Sequence, residues 1–330
     1  MNNFFDKSDM SAADAQYEAQ KIAFAPIVFQ AVRVMIECGI LKLLDKNRKG
    51  ISIQDIADRL KMTTYAVTVL METGLSAGVV KNEHGLYCST KIGYFLLNDP
   101  MTIVNMDYNH YVNYLGLYSL DEALAKSKPT GLTAFGDWET IYSGLSSLPE
   151  KVKNAWFSFD HFYSDAAFPM ALEIVLRNKP TKILDIGGNT GKFSLLCAQT
   201  IQECHLTIVD IPEQIATACE IIAGAGLEER IDTFAANMLE RSTILPDGYD
   251  TVWMSQFLDC FGLDDVIAIL SKVYKHIDEN AKVYILEPIW DRQKYETSAY
   301  CLINTSPYFT VMANGKSKMF NFKELSSCIE

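Results

Sequence analysis

Between Ile183 and Gly191 the chain reads Ile-Leu-Asp-Ile-Gly-Gly-Asn-Thr-Gly, an acid (Asp185) two positions before a glycine-rich turn. Glycines at such a place let the backbone approach a ligand closely. A second acid, Asp210, closes the next apolar segment, where a carboxylate can accept hydrogen bonds from ribose hydroxyls. A dinucleotide site would need G-x-G-x-x-G. Starting from Gly187 that pattern demands glycine at Asn189 and Lys192; starting from Gly188 it demands glycine at Thr190 and Phe193. Both frames fail and no Walker-type phosphate loop is present, so NAD and ATP are disfavoured.

The turn needs a scaffold. From Thr181 onward, short segments rich in β-branched and apolar residues (KILDI, HLTIVD, IDTFA, DTVWMS, AKVYILE) alternate with helical stretches at Phe193–Ile201, Glu213–Ala223 and Asp264–His276. Alternating β and α elements predict an α/β fold, a doubly wound and mostly parallel sheet covered on both faces, which binds ligands at the carboxyl ends of its strands.

Upstream, apolar residues recur at helical spacing from Asp14 to Leu44 (Ile22, Phe24, Phe29, Val32, Ile36, Ile40, Leu44), predicting one or two amphipathic helices. A helix capped by Ser52, a second starting at Thr63 or Thr64, and two short strands around a Glu83-His84-Gly85 turn follow. Helix, helix and β-wing make a winged-helix arrangement. DNA binding is the less favoured reading, because Thr63–Ser76 holds no Lys or Arg and carries Glu72, whereas a groove-reading helix brings cations. A dimerisation module is favoured. In the aromatic middle segment, Tyr108, Tyr111, Tyr114 and Tyr118 are spaced to lie along one helix face, as a packing surface or the wall of an acceptor pocket. The expected division is 1–100 winged-helix domain, 101–180 helical linker and pocket segment, and 181–330 cofactor-binding domain.

Composition narrows the class. The 330 residues carry 29 Lys plus Arg against 41 Asp plus Glu, a net charge of −12, which argues against a nucleic-acid or anionic-membrane partner. A hydrophobic content of 49% with 21% charged residues excludes a largely disordered chain. No run of about 18 apolar residues is present, so no membrane span is expected, and the start MNNFFDKSDMSAADAQ lacks the pattern of a signal peptide. Eight scattered cysteines without C-x-x-C and five dispersed histidines give no metal site and point to reduced, cytoplasmic thiols.

Several motifs in order resemble one family. Asp185-Ile186-Gly187 through Gly191 looks like the D-x-G-x-x-x-G of class I S-adenosylmethionine (SAM) methyltransferases. Phe135–Glu139, Pro149-Glu150, Phe159–Asp165, Asp210-Ile211-Pro212, Asn237-Met238, Asp250–Met254 and Ile285–Pro288 resemble, in sequence, the small-molecule O-methyltransferases with an N-terminal winged-helix dimerisation domain, such as plant caffeate-type and bacterial polyketide-tailoring enzymes. The resemblance spans nearly the whole chain. It implies SAM as cofactor, a homodimer, and a small aromatic or polyketide-like hydroxyl acceptor. It also implies cofactor contacts from Tyr163, Gly187, Gly188, Gly191, Asp210, Ile211, Asn237, Met238 and Ser255. Asn189 replaces the usual middle glycine, which Asn tolerates because it visits left-handed backbone readily. Asn237 replaces a carboxylate, its amide oxygen still able to accept from the adenine amino group.

The resemblance weakens at the chemistry. The family's histidine base, on the segment after the fourth strand, aligns with Asp259; its first supporting glutamate aligns with Glu287, and its second falls near Ser317. A phenol loses its proton near pKa ~10, a histidine near ~6.5 and an aspartate near ~3.9, so Asp259 starts with a disadvantage of about 3.5 kcal/mol as base. Burial beside Phe257, Leu258 and Phe261, with repulsion from Glu287, would recover it. Three readings stay open: Asp259 is a tuned base, Asp259 only orients an acidic or amine acceptor, or His161 or His110 supplies the base. Rival functions are a non-catalytic SAM-binding or ligand-sensing protein and a winged-helix DNA regulator. The chain stops at Cys328-Ile329-Glu330 inside a predicted helix, so either the sequence given is truncated or the sheet lacks the family's last strand hairpin.

Overall fold

The computed structural model describes residues 4–5 and 9–330 and divides into two compact units, Phe4–Asp107 and Tyr108–Glu330. The boundary falls seven residues beyond the sequence-based one, because helices Lys91–Asn98 and Pro100–Asp107 run on without a linker.

The N-terminal unit holds α1 (Ala12–Glu37), α2 (Ile40–Lys46), α3 (Ile53–Leu60), α4 (Thr64–Ser76), an antiparallel hairpin β1 (Val80–Glu83) and β2 (Leu86–Ser89), α5 (Lys91–Asn98) and α6 (Pro100–Asp107). Ser52 and Thr63 cap α3 and α4 by accepting from Asp55 N–H and Ala66 N–H, as their residue types predict. His84 and Gly85, both with positive φ, make the two-residue turn that suits the twist of a hairpin. Met35, Ile40, Leu44, Ile56, Val67 and Met71 form its core.

Helix α1 departs from the expected pattern. Of its residues only Val32 and Met35 are buried, while Tyr17, Ile22, Phe24 and Ile27 are more than half exposed. The stripe that the spacing assigned to a core is therefore uncovered in this chain over its first four turns. By length and composition α1 is also apolar enough to cross a membrane, although no run of 18 apolar residues exists; the core helix of a soluble protein and a signal sequence pass the same test.

The C-terminal unit begins with helices α7 (Leu120–Lys126), α8 (Ile141–Gly144), α9 (Glu150–Ser164) and α10 (Phe168–Leu176). Then come β3 (Lys182–Ile186), α11 (Lys192–Thr200), β4 (His205–Asp210), α12 (Pro212–Ala225), β5 (Ile231–Ala235), β6 (Thr251–Ser255), α13 (Leu263–Lys275), β7 (Lys282–Leu286), α14 (Glu296–Tyr308) and α15 (Phe322–Ile329). The five strands β3 to β7 form one parallel sheet in the order β5-β4-β3-β6-β7. This is the doubly wound α/β arrangement expected, with the strand order reversing between β3 and β6, where such sheets bind ligands.

The tyrosine stripe does not survive as a stripe. Residues Tyr108–Asn113 form a π-helical segment and Gly116–Ser119 a 3₁₀ turn, so the four side chains are not carried on one regular helix. Tyr108 is buried at 2% exposure and Tyr118 is 93% exposed. A second π-helical segment, Phe309–Ala313, packs into the same aromatic cluster as Tyr108, Trp156 and Tyr308.

Candidate functional site

Strand β3 delivers the chain into the glycine turn with its acid already committed. Asp185, 2% exposed, accepts from Ser194 Oγ at 2.6 Å, which ties the strand end to α11. Burial raises its carboxyl to about 7, with the Ser194 bond opposing and Asp210 adding repulsion. Gly187 has φ +75°, and a Cβ there would lie 2.2 Å from the Phe257 ring; the position is glycine because that ring already fills the space. Gly188 is as tight, a Cβ meeting Ile208 Cγ2 at 2.8 Å. Asn189 occupies the left-handed region at φ +49°, the conformation its residue type made tolerable. Gly191, φ +77°, caps α11.

Asp210 at the end of β4 holds this turn from the other side. Its Oδ2 accepts from Asn189 N–H at 2.9 Å and its Oδ1 from Ile211 N–H at 2.7 Å, so each oxygen keeps a free lone-pair direction for a ligand hydroxyl. Burial pushes its carboxyl up to about 6, the two N–H donors pulling the other way. Further round, Met238 is buried in the cluster with Val209 and Leu245. Asn237 Oδ1 already accepts from Leu239 N–H at 2.9 Å, leaving one lone pair for an outside donor. Lys272 Nζ donates to Met238 O at 2.8 Å and Glu240 O at 2.6 Å, pinning this loop to α13.

The crevice over the turn is lined by Asp160, His161, Ser164, Gly187, Asn189 and Ser255. Four buried polar atoms lining it have no partner in the protein: Asn189 Oδ1, Ser255 Oγ, His161 Nε2 and Trp253 Nε1. Unpaired buried donors and acceptors are costly. A ligand offering both an amino-acid head and ribose hydroxyls fits them, so the residues present suit SAM. His161 lies in this crevice, and burial followed by the nearby Lys192 lowers its pKa, keeping it neutral. Lys192 itself is bound to Asp165 at 2.6 Å. Tyr163 packs edge-on against Phe162 and at 4.8 Å from the Phe159 ring.

Past β6 the chain turns sharply. Gln256, a non-glycine residue at φ +47°, sends it into the 3₁₀ turn Leu258–Cys260, which carries Asp259 at 4% exposure. Glu287, the residue after β7, reaches back: its Oε1 accepts from Phe257 N–H at 3.0 Å and Leu258 N–H at 2.8 Å. Its Oε2 is buried without a partner. Burial first, then the Asp259 charge, holds the Glu287 carboxyl well above its ordinary range, and burial likewise raises Asp259. Parallel pairing of β6 with β7 is what brings the two acids together. Asn314, placed by the second π-helical segment, accepts from Ser317 N–H and donates to Cys260 O, so the Ser317 position supports the same turn without supplying an acid.

One residue unforeseen in the sequence joins this group. Asp160 on α9 accepts from Asn189 Nδ2 at 3.3 Å, and burial, then the charge of Asp259, raises its carboxyl to about 7. It sits within the Phe159–Asp165 run, but nothing in the local pattern marks it; only the packing of α9 against the turn does. Lys272 was missed for the same reason, since its role depends on where α13 ends up. Aromatic rings wall the region: Tyr108 stacks on Phe159 at 3.7 Å, and Trp156 Nε1 donates to Tyr308 Oη at 2.7 Å.

Comparison with known proteins agrees with this architecture. Residues 16–87 match the Dimerisation2-like domain and residues 168–327 the O-methyltransferase domain. The L-tyrosine C(3)-methyltransferase of Streptomyces lavendulae is 26% identical over 268 residues, 80% of this chain and 72% of the relative. The 3-hydroxy-5-methyl-1-naphthoate 3-O-methyltransferase of Streptomyces sahachiroi is also 26% identical, over 275 residues, 80% of this chain and 75% of the relative. Among solved structures, the apo form of the SAM-dependent methyltransferase SibL superimposes with a TM-score of 0.68 at 22% identity, covering 94% of this chain and 90% of that one. The mitomycin 7-O-methyltransferase MmcR does so with 0.69 at 15% identity, covering 96% and 91%. Residues 168–327 thus belong to the O-methyltransferase domain family and residues 16–87 to the Dimerisation2-like family, and the chain is a SAM-dependent methyltransferase.

Proposed function

We propose that this enzyme methylates a small hydroxylated aromatic compound on its oxygen, with the Asp259–Glu287 pair taking the hydroxyl proton. The observation that carries the reading is the buried pair itself: two carboxyls at the ends of neighbouring strands, next to aromatic walls, where the family relies on a histidine. When bound, SAM supplies an electrophilic methyl group, whose carbon–sulfur bond breaks with its electron pair passing to sulfur. The protein's contribution is to hold the acceptor in line and to receive its proton. An aspartate at its ordinary pKa is a poor partner for a phenol, but burial closes part of that gap. Glu287 Oε1, fixed by two backbone N–H groups, orients the pair.

Gly187, Gly188, Gly191 and Ser255 receive the amino-acid part of the cofactor in this reading, with Tyr163 beside it. Asp210 and Ile211 hold the ribose, and Asn237 and Met238 frame the adenine. His161 lies beside the cofactor turn, where its neutral ring accepts or donates a hydrogen bond; the base role goes to Asp259. The relatives whose names specify tyrosine and a hydroxynaphthoate support an aromatic acceptor.

The working unit is proposed to be a homodimer formed through the N-terminal winged-helix module, whose uncovered α1 face offers Tyr17, Ile22, Phe24 and Ile27 to a second copy. Helix α4 exposes Tyr65 and Val69 and has no cation, which supports protein rather than DNA contact. All eight cysteines are unpaired, which supports a reducing compartment such as the cytoplasm.

Incubation with SAM and a series of phenols, read by mass spectrometry, tests the function. One added methyl, lost in Asp259→Asn while S-adenosylhomocysteine (SAH) still binds, is expected. Undiminished turnover in Asp259→Asn across pH removes that residue from proton transfer, and a methyl found on ring carbon replaces the oxygen as acceptor atom.

A further inference from the structure

The crevice over the cofactor turn has two unlike walls. One is the C-terminal end of α9, with Asp160, His161, Ser164 and Asp165; the other is the turn and the start of α11, with Asn189 and Lys192. A helix end that shows its carbonyls favours a cation, and a helix start that shows its N–H groups favours an anion. Asp210, which faces the ribose, lies outside this lining. The crevice is thus left to the amino-acid end of the cofactor, which carries one charge of each sign.

Three acids line that crevice on or beside its walls, and they are not equivalent. Asp185 is buried and accepts from Ser194 Oγ at 2.6 Å. Asp165 accepts from Lys192 Nζ at 2.6 Å and from Ser164 Oγ at 3.1 Å. Asp160 is half-buried, and among the described residues its carboxyl has one hydrogen bond, from Asn189 Nδ2 at 3.3 Å, and no ion pair. On that same amide, Asn189 Oδ1 is buried with no donor, an independent sign of an N–H-bearing group at this place. A carboxyl on α9 and an orphaned amide oxygen on the facing turn are two acceptors that one ammonium, with three N–H donors, satisfies together.

We propose that Asp160 binds the α-ammonium of SAM, its carboxylate and Asn189 Oδ1 receiving the N–H donors across the crevice. This rests on the reading that seats the cofactor's amino-acid end on the turn, and it adds the side chain that recognises the charge there. Losing a charge-assisted hydrogen bond of this kind weakens binding about 10- to 100-fold. The groups that face Asp160 are Asp259, Asp165, Lys192 and Asn189, with His161 beside it in the crevice. Burial, then the charges of Asp259 and Asp165, raise the Asp160 carboxyl to about 7, with Lys192 and Asn189 opposing. An ammonium favours its ionised form, so the ammonium's share of the affinity should fade as pH falls through about 7.

The test titrates the full chain by calorimetry with SAH and with its desamino analogue, identical but for hydrogen in place of the α-ammonium, at about pH 8 and about pH 5.5. SAH is expected to bind at least about tenfold more tightly than the analogue at the higher pH, the ratio shrinking at the lower. In Asp160→Asn the ratio should fall to within about threefold at both, while the analogue binds as it does to wild type. Where the variant folds poorly, the pH dependence of the wild-type ratio decides. An analogue that equals SAH on the wild-type protein overturns the proposal, as does a ratio indifferent to pH. A variant that keeps the full ratio puts the ammonium on another group, and one that weakens both ligands alike leaves Asp160 as a support of the turn; either result overturns the proposal too. If SAH itself fails to bind, the cofactor reading falls and the proposal with it.

Discussion

Replacing Gly187 by alanine tests how the cofactor turn is built. The residue sits at φ +75°, and a Cβ would lie 2.2, 2.6 and 2.9 Å from Phe257 Cδ2, Cγ and Cβ. Left-handed backbone costs an alanine about 1–2 kcal/mol. Overpacking against a ring that cannot retreat adds about 1–3 kcal/mol. The total, about 2–5 kcal/mol, corresponds to a Tm lower by about 4–20 °C in a unit of about 220 residues. The damage is also directed. Phe257 is the residue whose N–H donates to Glu287, so pushing its ring disturbs both the cofactor turn and the acid pair. Gly224 provides the contrast, because it lies within α12 with nothing within 4 Å of an added Cβ. Gly224→Ala should stabilise by about 0.5–1 kcal/mol through helix propensity, raising Tm by about 1–4 °C. Scanning fluorimetry with and without SAH reads both variants. Gly187→Ala is expected to melt early and to lose most of the SAH-dependent shift, while Gly224→Ala keeps it. A Gly187→Ala protein that melts and responds to SAH like wild type would refute this account of the turn.

Other outcomes follow from the same geometry. Asp210→Asn turns an amide N–H₂ toward one of two N–H donors and removes the charge facing the ribose, and SAH affinity should fall about 10- to 100-fold by calorimetry. Turnover should rise with pH through a midpoint well above the ordinary carboxylate range. Glu287→Gln, which keeps the two backbone bonds, should leave that midpoint nearly in place in a pH–rate profile, because burial of Asp259 sets it. The Asp160 carboxyl is raised to about 7 in the fold against about 3.9 in the unfolded chain, so its contribution to stability is present at low pH and lost as pH rises through 7. Asp160→Asn should therefore raise Tm more at pH 8 than at pH 5 in paired melts; an equal or opposite change contradicts the burial argument. Lys272→Met, which frees the Met238 and Glu240 carbonyls, should weaken SAH several-fold while leaving acceptor selectivity unchanged.

The sheet was legible because parallel strands buried on both faces leave a plain mark: Ile183–Ile186 and Leu206–Val209 are apolar but for Asp185 and Thr207 and run into Gly187 and Asp210. The cofactor turn was legible for the same local reasons, glycine and asparagine standing where φ is positive. Asp259 and Glu287 could be paired only through the family pattern, since 28 positions of chain separate them and β6–β7 pairing joins them. Asp160 was illegible, for a helix residue without periodic partners gains its meaning from what α9 packs against. The tyrosine spacing misled because it presumes 3.6 residues per turn, which the π-helical segment Tyr108–Asn113 breaks. The helices of Asp14–Leu44 were legible from their apolar spacing, which did not tell that Tyr17, Ile22, Phe24 and Ile27 of α1 stay exposed in this chain.

Everything rests on the crevice above Gly187–Gly191 and Asp210 taking a sulfonium nucleoside. Calorimetric titration of the folded chain with SAH measures that directly. Saturable binding to one site per chain, abolished or strongly weakened in Asp210→Asn, is the result expected. A folded protein that gives no heat of binding, or that binds SAH equally well without the Asp210 carboxylate, would contradict it.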